Sequence, residues 1–333
     1  MTTTLTAPVI RALDLGYGNT KFVTRSDAGG VLCRMFPSLA PMASATDIAS
    51  GVLPKRDTVI IPVGEHRYEV GPDSILVQGR RTLLHSDYTQ TEGYRALCVG
   101  ALHYMAEPII DMLVVGLPVS LHQLRSGTLI KALKGRHEVA DGRAVEVRQV
   151  WVLPQPLGGF FSLLAESRDR ALASQTNLII DPGFMTTDWM VGVGPKPVDH
   201  RSGSHPVGMS AILRAAAQSL STELGEHYDN LDALDRGIRE GIFRVHGTPI
   251  DVSRHFDAAR PQILEAIDAM LSSVGGLADI DNIILVGGGA RVFLPLLQAR
   301  FPSREFRTVE EPVFANVRGF QLAGEQRLAR ARG

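Results

Sequence analysis

Residues 10–21 have the sequence IRALDLGYGNTK, and they decide how the rest of the chain is interpreted. The apolar run from Val9 to Leu15 is interrupted only by Arg11 before it reaches Asp14, which predicts a strand, and residues 20–25 are typical of a second strand. The glycines between these strands lack a Cβ and can adopt positive φ, so backbone N–H groups of the turn can converge on an anion. The stretch therefore predicts a strand, a tight turn and a strand, with a candidate phosphate-binding loop.

Two charged side chains flank this turn. Asp14 lies at the predicted end of the first strand, where a carboxylate suits a hydrated metal ion, and Lys21 could reach a phosphate as a point charge. The pattern DxGxxxxK also arises by chance in ordinary hairpins. An ordinary β-turn with a solvated aspartate is therefore the alternative.

The chain contains two further strands that end in a glycine turn. Residues 178–188, LIIDPGFMTTD, form an apolar strand that ends in Asp-x-Gly and continues into two threonines and a second acid. Residues 282–286 predict a third strand, which is followed by three glycines at 287–289 and by a helix-like segment. Three such turns are hard to obtain by accident, so together they favour nucleotide binding over ordinary turns.

In this order the turns resemble the two phosphate loops and the adenosine loop of the actin, heat-shock chaperone and hexokinase superfamily. More narrowly, the chain resembles the actin-like ATPases of the ParM/StbA plasmid-segregation family. The segments DPGFMTTDW (181–189) and RSGSHPVGMSAILRA (201–215) are similar to the PRTRC-system protein D branch. The resemblance extends from Val9 to about Gln326. It implies an α/β fold of two RNase H-like domains, the actin-like ATPase fold, around a cleft that holds ATP or ADP and Mg²⁺.

The resemblance also implies the residues of the site. Asp14 and Asp181 are expected to flank one hydrated Mg²⁺ and, with Gln155, to form the catalytic set. Gln155 stands at the crossover between the domains, where ParM and chaperone groups usually carry Glu. An amide cannot accept a proton at neutral pH, so Gln155 can orient the attacking water but cannot be its general base. A glutamine at the start of a helix, without a catalytic role, is the alternative.

The residues expected to bind the nucleotide come from all three turns and from the start of the following helix. The second turn departs from many relatives, because Phe184 and Met185 stand where those relatives carry glycine. Fewer glycines leave fewer backbone donors, so threonine hydroxyls are expected to supply part of the phosphate site. The full set is Gly16, Tyr17, Gly18, Asn19, Lys21, Gly183, Thr186, Thr187, Asp188, Gly208, Gly287, Gly288 and Gly289.

The resemblance also implies the division of the chain into two domains. Residues 1–155 with 315–333 form domain I, which carries the first phosphate loop and a small β insertion at about 37–85. Residues 156–314 form domain II, which carries the second phosphate loop, the adenosine loop and a helical subdomain at about 206–276. Within these domains we expect one strand over residues 145–153, a helical pattern from Pro206 and one amphipathic helix over residues 251–274.

The composition limits the class of protein and the partners that it can have. The chain has 333 residues, 44% hydrophobic and 21% charged, which is enough for two domains with full cores. Its net charge is −1, so no global field draws it to nucleic acid or to an anionic membrane. Two cysteines, Cys33 and Cys98, provide neither a disulfide framework nor a zinc cluster. Residues 1–8 lack the basic and apolar regions of a signal peptide, and no run approaches the ~18 apolar residues of a membrane span. We therefore expect a cytoplasmic protein.

Three functions remain open, because these folds host polymers, chaperones and kinases alike. The first is an ATP-hydrolysing protein that polymerises with itself into filaments for plasmid or DNA segregation. It would reach DNA through a DNA-binding adaptor protein, with no direct contact to membrane or nucleic acid. The second is a small-molecule kinase of the sugar type, since short sugar kinases also begin with DxGxxxxK. Against it stand the lack of a cysteine/histidine zinc cluster and of an obvious catalytic aspartate in a substrate loop. The third is a nucleotide-sensing scaffold with little hydrolysis, which Gln155 and the glycine-poor second loop leave open.

Overall fold

The strand before the first glycine turn is the central strand of a mixed sheet. The structure, a computed structural model, describes residues 7–43, 55–77, 87–167 and 169–330. The chain divides into two units, Met1–Ala165 with Phe314–Gly333 and Glu166–Val313. The start of the helix after Pro154 thus belongs to the first unit, whereas the sequence assigned residues from 156 onward to the second domain.

Before the chain enters the second unit, the first unit provides mainly strands and three of the described helices. The strands are β1 (Ile10–Leu15), β2 (Asn19–Asp27), β3 (Gly30–Pro37), β4 (Val59–Val63), β5 (His66–Val70), β6 (Ile109–Ile110), β7 (Met112–Leu117), β8 (Gly135–Glu138), β9 (Ala144–Val147) and β10 (Val150–Pro154). The helices are α1 (Glu92–Met105), α2 (Val119–Leu133) and α3 (Gln155–Ser167).

The main sheet of this unit has the strand order β10-β7-β1-β2-β3. The strands β1, β2 and β3 are antiparallel neighbours, while β7 and β10 run parallel to β1. Every residue of β1 and β7 is buried, and their side chains alternate between two cores. A sheet covered on both faces requires nearly continuous apolar strands, which is why β1 was recognisable in the sequence.

One predicted strand of this unit is wrong. Residues 145–153 do not form a single strand, because β9 pairs with β6 and β8 in a small separate sheet, whereas β10 pairs with β7 in the main sheet. The chain leaves one sheet for the other at Arg148, whose side chain is held by Asp111 at 2.6 Å. The predicted β insertion appears as the β4–β5 hairpin, although residues 44–54 and 78–86 of that segment lie outside the described residues.

The second unit contains a second mixed sheet with four of the described helices. Its strands are β11 (Thr176–Pro182), β12 (Thr187–Val193), β13 (Lys196–Pro197), β14 (Gly203–His205), β15 (Arg244–Val245), β16 (Thr248–Pro249), β17 (Asn282–Leu285) and β18 (Phe306–Thr308). Its helices are α4 (Met209–Leu224), α5 (Leu231–Glu240), α6 (Arg260–Val274) and α7 (Ala290–Arg300). The chain then returns to the first unit with α8 (Ala315–Arg330).

The two main sheets share one topology. In the second unit β11 pairs antiparallel with β12 and parallel with β17, which in turn pairs parallel with β18. In the first unit β1 pairs antiparallel with β2 and parallel with β7, which in turn pairs parallel with β10. Each unit therefore contains one antiparallel hairpin, and two parallel strands follow beside the first strand of that hairpin. Among the described helices, none has the length and apolar character needed to cross a lipid bilayer.

Two helix predictions in the second unit need correction. The helical pattern predicted from Pro206 begins only at Met209, because residues 203–205 pair with β12 as β14 and Gly208 precedes the helix in extended conformation. The amphipathic segment 251–274 consists of a 3-10 helix, Val252–Ala259, followed by α6. Pro261 lies in the first turn of α6, where its missing N–H costs nothing, whereas inside a continuous α-helix it would remove a hydrogen bond.

Helices α3 and α8 of the first unit touch through backbone rather than side chains. A Cβ at Gly319 would overlap the carbonyl oxygen of Gly158 and lie 2.6 Å from its carbonyl carbon. A Cβ at Gly158 would lie 2.7 Å from the Cα of Asn316. This contact fixes α3, and with it Gln155 at the N-terminus of that helix, against α8.

We predict that Gly319→Ala destabilises the protein by about 1–3 kcal/mol, since the added methyl forces two helices apart. The control is Gly127→Ala, at an exposed position of α2 where a Cβ meets nothing within 4 Å. There the substitution should stabilise the chain by about 0.5–1 kcal/mol. Urea unfolding of both variants measures the two changes, and equal effects would contradict the packing described for α3 and α8.

Candidate functional site

Asp14 is a fully buried carboxylate at the carboxyl end of the central strand β1. Lys21 lies opposite Asp14 in the β1–β2 register, and its Nζ donates to Asp14 Oδ2 at 2.9 Å. The other oxygen, Oδ1, accepts from Nε2 of Gln155 at 2.7 Å. A buried carboxylate is costly unless it is paired and hydrogen-bonded, and both conditions are met here. The structure thus brings together three of the predicted residues within the first unit.

Gln155 reaches Asp14 because β10 ends at Pro154 and α3 begins at Gln155. Its side chain is 9% exposed. With one amide hydrogen on Asp14, the group still has a second N–H and its carbonyl oxygen for other partners. A neutral amide held in this way can orient a water molecule, but it cannot take up the proton that the water loses.

The first glycine turn differs from its prediction. Of the glycines expected to bind the nucleotide, only Gly287 has φ in the left-handed region, so Gly16 and Gly18 do not use the positive φ anticipated for them. The N–H of Gly16 donates to the carbonyl of Asn19 at 3.1 Å, which closes the turn. The ring of Tyr17 stacks on Tyr88, with 4.8 Å between ring centroids, so this side chain packs within the first unit.

Ser38 contacts the same turn and was missed in the sequence. Its N–H donates to the carbonyl of Gly18 at 3.1 Å, and its Oγ donates to the carbonyl of Gly16 at 2.6 Å. Ser38 directly follows β3, in a Pro/Ser/Ala-rich segment without periodicity. The one available signal was its place beside the glycine turn in a three-stranded meander.

The second unit has a pair of buried acids at the corresponding place. Asp181 near the end of β11 is 5% exposed, and Asp188 in β12 is 2% exposed. The two residues are partners in the antiparallel register, so their side chains lie on the same face of the sheet. Asp188 accepts hydrogen bonds from Thr186 at 2.6 Å and from Ser204 at 2.5 Å. Two neighbouring buried carboxylates repel each other, and a cation relieves that repulsion.

The second turn uses its polar side chains in hydrogen bonds within the second unit, and the phosphate-binding role expected for its threonine hydroxyls stays a prediction. Thr186 donates its hydroxyl proton to Asp188, and Thr187 donates to the carbonyl of Val207 at 2.7 Å. Neither proton is therefore directed at a phosphate in this structure. The carbonyl of Gly183 accepts from the N–H of Met209 at 2.9 Å, so the first turn of α4 is already hydrogen-bonded to the loop.

Gly208 allows this close approach of loop and helix. A Cβ at Gly208 would lie 2.7 Å from the carbonyl oxygen of Gly183 and 2.8 Å from the carbonyl carbon of Met185. Phe184 packs against the core of the second unit, and Met185 Sδ accepts from Ser210 at 3.4 Å. Gly208 therefore acts here by fitting α4 against the second turn.

The three glycines after β17 differ from one another in what surrounds them. Gly287 has φ +83°, and a Cβ there would overlap Oδ1 of Asp181. A Cβ at Gly289 would lie 2.8 Å from Cβ of Pro182. Gly288 is exposed, and a Cβ there would meet nothing within 4 Å. The packing of the second unit explains the glycines at 287 and 289, but it does not explain the glycine at 288.

The donor set fits a hydrated divalent cation better than an ion enclosed by protein. The described residues contain no group of three or more His, Cys, Asp or Glu side chains that could hold a metal ion. Mg²⁺ commonly binds through one or two carboxylates and completes its octahedron with waters and substrate phosphates. Asp181 lies beside a second buried carboxylate, Asp188, within one unit. Both oxygens of Asp14 accept from Lys21 and Gln155, and both oxygens of Asp188 accept from Ser204 and Thr186.

Two cavities in the described residues lie away from these groups. One of about 580 Å³ is lined by α4 and the segment before α5, including Arg214 and Tyr228. The other, of about 360 Å³, lies in the first unit and includes His103 and Arg143. No residue predicted for the site lines either cavity.

Two protein-family models match the chain. Residues 12–158 match the model of the N-terminal domain of actin-like proteins. Residues 179–299 match the C-terminal model of the archaeal actin homologue MreB-like family. No curated protein sequence matches the chain.

Solved structures of actin homologues match nearly the whole chain. A non-polymerisable quadruple mutant of pCBH ParM is 20% identical with a TM-score of 0.74, and the match covers 96% of this chain and 100% of that one. A 15-stranded ParM filament from Clostridium botulinum is 19% identical with a TM-score of 0.72, covering 96% and 99%. An archaeal actin homologue in complex with ADP is 19% identical with a TM-score of 0.73, also covering 96% and 99%. The expected actin-like fold is confirmed.

We predict that the glycines at 287 and 288 respond differently to alanine. Gly287→Ala should destabilise the chain by about 1–3 kcal/mol, because it places an L side chain at positive φ and against Asp181. Gly288→Ala should leave the free energy of unfolding within about 0.5 kcal/mol of wild type, as expected for a surface substitution. Thermal and urea unfolding without nucleotide measure both variants. Equal losses would mean that the surroundings of Gly288 are not open.

Proposed function

We propose that this chain is an actin-like protein that binds ATP with Mg²⁺, hydrolyses it and assembles into filaments, because two models of actin-like families match residues 12–158 and 179–299. The observation that carries the proposal is the duplicated hairpin. Each unit ends a central strand in a buried aspartate beside a glycine turn. In open α/β sheets, ligands bind outside the carboxyl ends of the strands. We infer that the phosphates of one nucleotide are held by both turns.

The metal would neutralise the acidic side of this site. Asp181 and Asp188 provide two carboxylates within one unit, and we propose that Asp181 lies beside the hydrated Mg²⁺. Asp14 is proposed to flank the same ion through its water shell, since Lys21 and Gln155 donate to both of its oxygens. The bound ion would supply charge neutralisation of the β- and γ-phosphates, and Lys21 would add a positive charge there.

The nucleoside is proposed to lie over Gly288. Of the three glycines after β17, this one has open space above its Cα, so a flat group could approach its backbone closely. An ADP complex exists for one archaeal actin homologue of the same fold. The shared fold and the open glycine together support the placement.

Gly288→Val should weaken binding of ATP and ADP alike, by about tenfold or more, because the side chain occupies space meant for the nucleoside. The control is Gly276→Val, at another glycine of the second unit where a Cβ meets nothing within 4 Å. Isothermal calorimetry compares the affinities. Unchanged affinity in Gly288→Val would refute this position for the nucleoside.

The proposal of filament assembly and segregation rests on the resemblance to actin homologues. The ParM filament from Clostridium botulinum is a polymer of a protein with the same fold. Loss of the γ-phosphate would remove contacts on which closure of the two units depends, so polymer stability would follow hydrolysis. Plasmid or DNA segregation through a DNA-binding adaptor is the cellular role we propose, in the cytoplasm.

The kinase and scaffold alternatives both differ from the proposed function in one assay. Sedimentation and phosphate release are measured together on the purified chain with Mg-ATP and no added substrate. The proposed function requires both ATP-dependent pelleting and phosphate release. A sugar-type kinase would release little phosphate and stay in the supernatant, and a scaffold would bind ATP without either signal.

In the same assay, Gln155→Ala should bind ATP normally but release phosphate on the order of 10²-fold more slowly, because the attacking water loses its orienting amide. Its filaments should form as in wild type and persist longer. Gln149→Ala, at an exposed glutamine of the same unit, is the matched control and should behave as wild type. Wild-type phosphate release by Gln155→Ala would exclude a role for this side chain.

A further inference from the structure

Ser38 binds two carbonyl groups of the first glycine turn at once. Its backbone N–H donates to Gly18 O at 3.1 Å, and its side-chain Oγ donates to Gly16 O at 2.6 Å. The side chain is almost buried, with 7% of Ser38 exposed. A serine at the end of an edge strand normally needs no such contacts, so its position beside this turn calls for an explanation.

The carbonyl of Gly16 fixes the direction of the hydrogen bond between Thr20 and Ser38. Thr20 is fully buried, and its Oγ1 lies 3.0 Å from Ser38 Oγ. Because a carbonyl oxygen only accepts, Ser38 must give its single hydroxyl proton to Gly16 O, and Thr20 must then donate to Ser38. The resulting chain runs from Thr20 through Ser38 to the backbone of the turn, and each proton in it has one acceptor.

Holding the two carbonyls also sets the direction of two backbone donors. In a trans peptide the C=O and the N–H of the next residue point in opposite directions. No cis peptide bond occurs in the described chain, so the carbonyl of Gly16 fixes the N–H of Tyr17, and the carbonyl of Gly18 fixes the N–H of Asn19. Both N–H groups point away from Ser38. The turn has no glycine at positive φ to impose this arrangement by itself.

We propose that Ser38 is a positioning residue for the first phosphate loop. It holds the carbonyls of Gly16 and Gly18 toward the sheet, so that the N–H groups of Tyr17 and Asn19 face the phosphates. The inference rests on the proposed nucleotide binding and adds a residue that touches neither nucleotide nor metal. Its effect is on affinity, because preorganised donors lower the cost of ordering the loop when ligand binds.

The test compares Ser38→Ala with Ser26→Ala, a serine of β2 at the opposite end of the same sheet. Dissociation constants for a fluorescent ATP and ADP, steady-state KM and kcat, and unfolding without nucleotide are measured for each. Ser38→Ala should raise both dissociation constants and KM about tenfold, while kcat at saturating ATP changes less than about twofold. Ser38→Thr, which retains the hydroxyl, should restore most of the affinity.

A second variant tests the inference independently, in case Ser38→Ala does not fold. Thr20→Val removes the donor to Ser38 but leaves the serine in place, so it should raise both dissociation constants by about threefold, a smaller effect than Ser38→Ala. Its control is Thr24→Val, at a position of β2 whose hydroxyl donates to the carbonyl of Leu32 at 3.3 Å.

The outcomes separate this inference from the proposed function. Normal affinity and KM in Ser38→Ala and Thr20→Val, with or without a loss of stability, would overturn the role of Ser38 while nucleotide binding by the wild type stands. A wild type that binds neither ATP nor ADP would overturn both. Raised dissociation constants with wild-type Ser26→Ala and Thr24→Val would establish the positioning role.

Discussion

A buried carboxylate at the end of a central strand is the constraint on which each unit depends. Removing a carboxylate from water is tolerated only if charge and hydrogen bonds compensate it. In the first unit the compensation is internal, because Lys21 and Gln155 both donate to Asp14. In the second unit the residue opposite Asp181 is another acid, Asp188, whose oxygens accept from hydroxyl groups that carry no charge. The hairpin geometry is the same in both units, but the residue opposite the aspartate is a lysine in the first unit and a second aspartate in the other.

The two units of the duplicated fold thus differ in the residue that faces the aspartate. The two sheets share their topology, so the aspartates, the glycine turns and the following strands are matched between units. The residue across the hairpin then decides the chemistry: a lysine suits phosphate oxygens, and an aspartate suits a hydrated metal ion. The backbone of each turn is held from outside, by Ser38 in the first unit and by the start of α4 in the second. Neither turn relies on glycine at positive φ.

The sequence was informative where burial imposes a pattern. Strands covered on both faces, such as β1 and β11, must be nearly continuously apolar, and aspartates and glycines marked their ends in the sequence. Boundaries set by tertiary contacts were not visible: β14 displaced the expected start of α4, and an amphipathic period continued across the junction of a 3-10 helix with α6. Ser38 escaped notice because a single serine after a strand has no periodicity. The hydroxyls of Thr186 and Thr187 were assigned to a ligand because their partners, Asp188 and the Val207 carbonyl, are evident only in the folded chain.

The central claim is that one nucleotide is held by the turns of both units. Hydrogen–deuterium exchange of the wild-type chain, measured with and without Mg-ATP, tests it directly. The account predicts slower exchange at residues 16–20 and at residues 183–187 together, with the same dependence on ATP concentration at both segments. Protection confined to one of the two segments, or protection at the two with different concentration dependence, would contradict it.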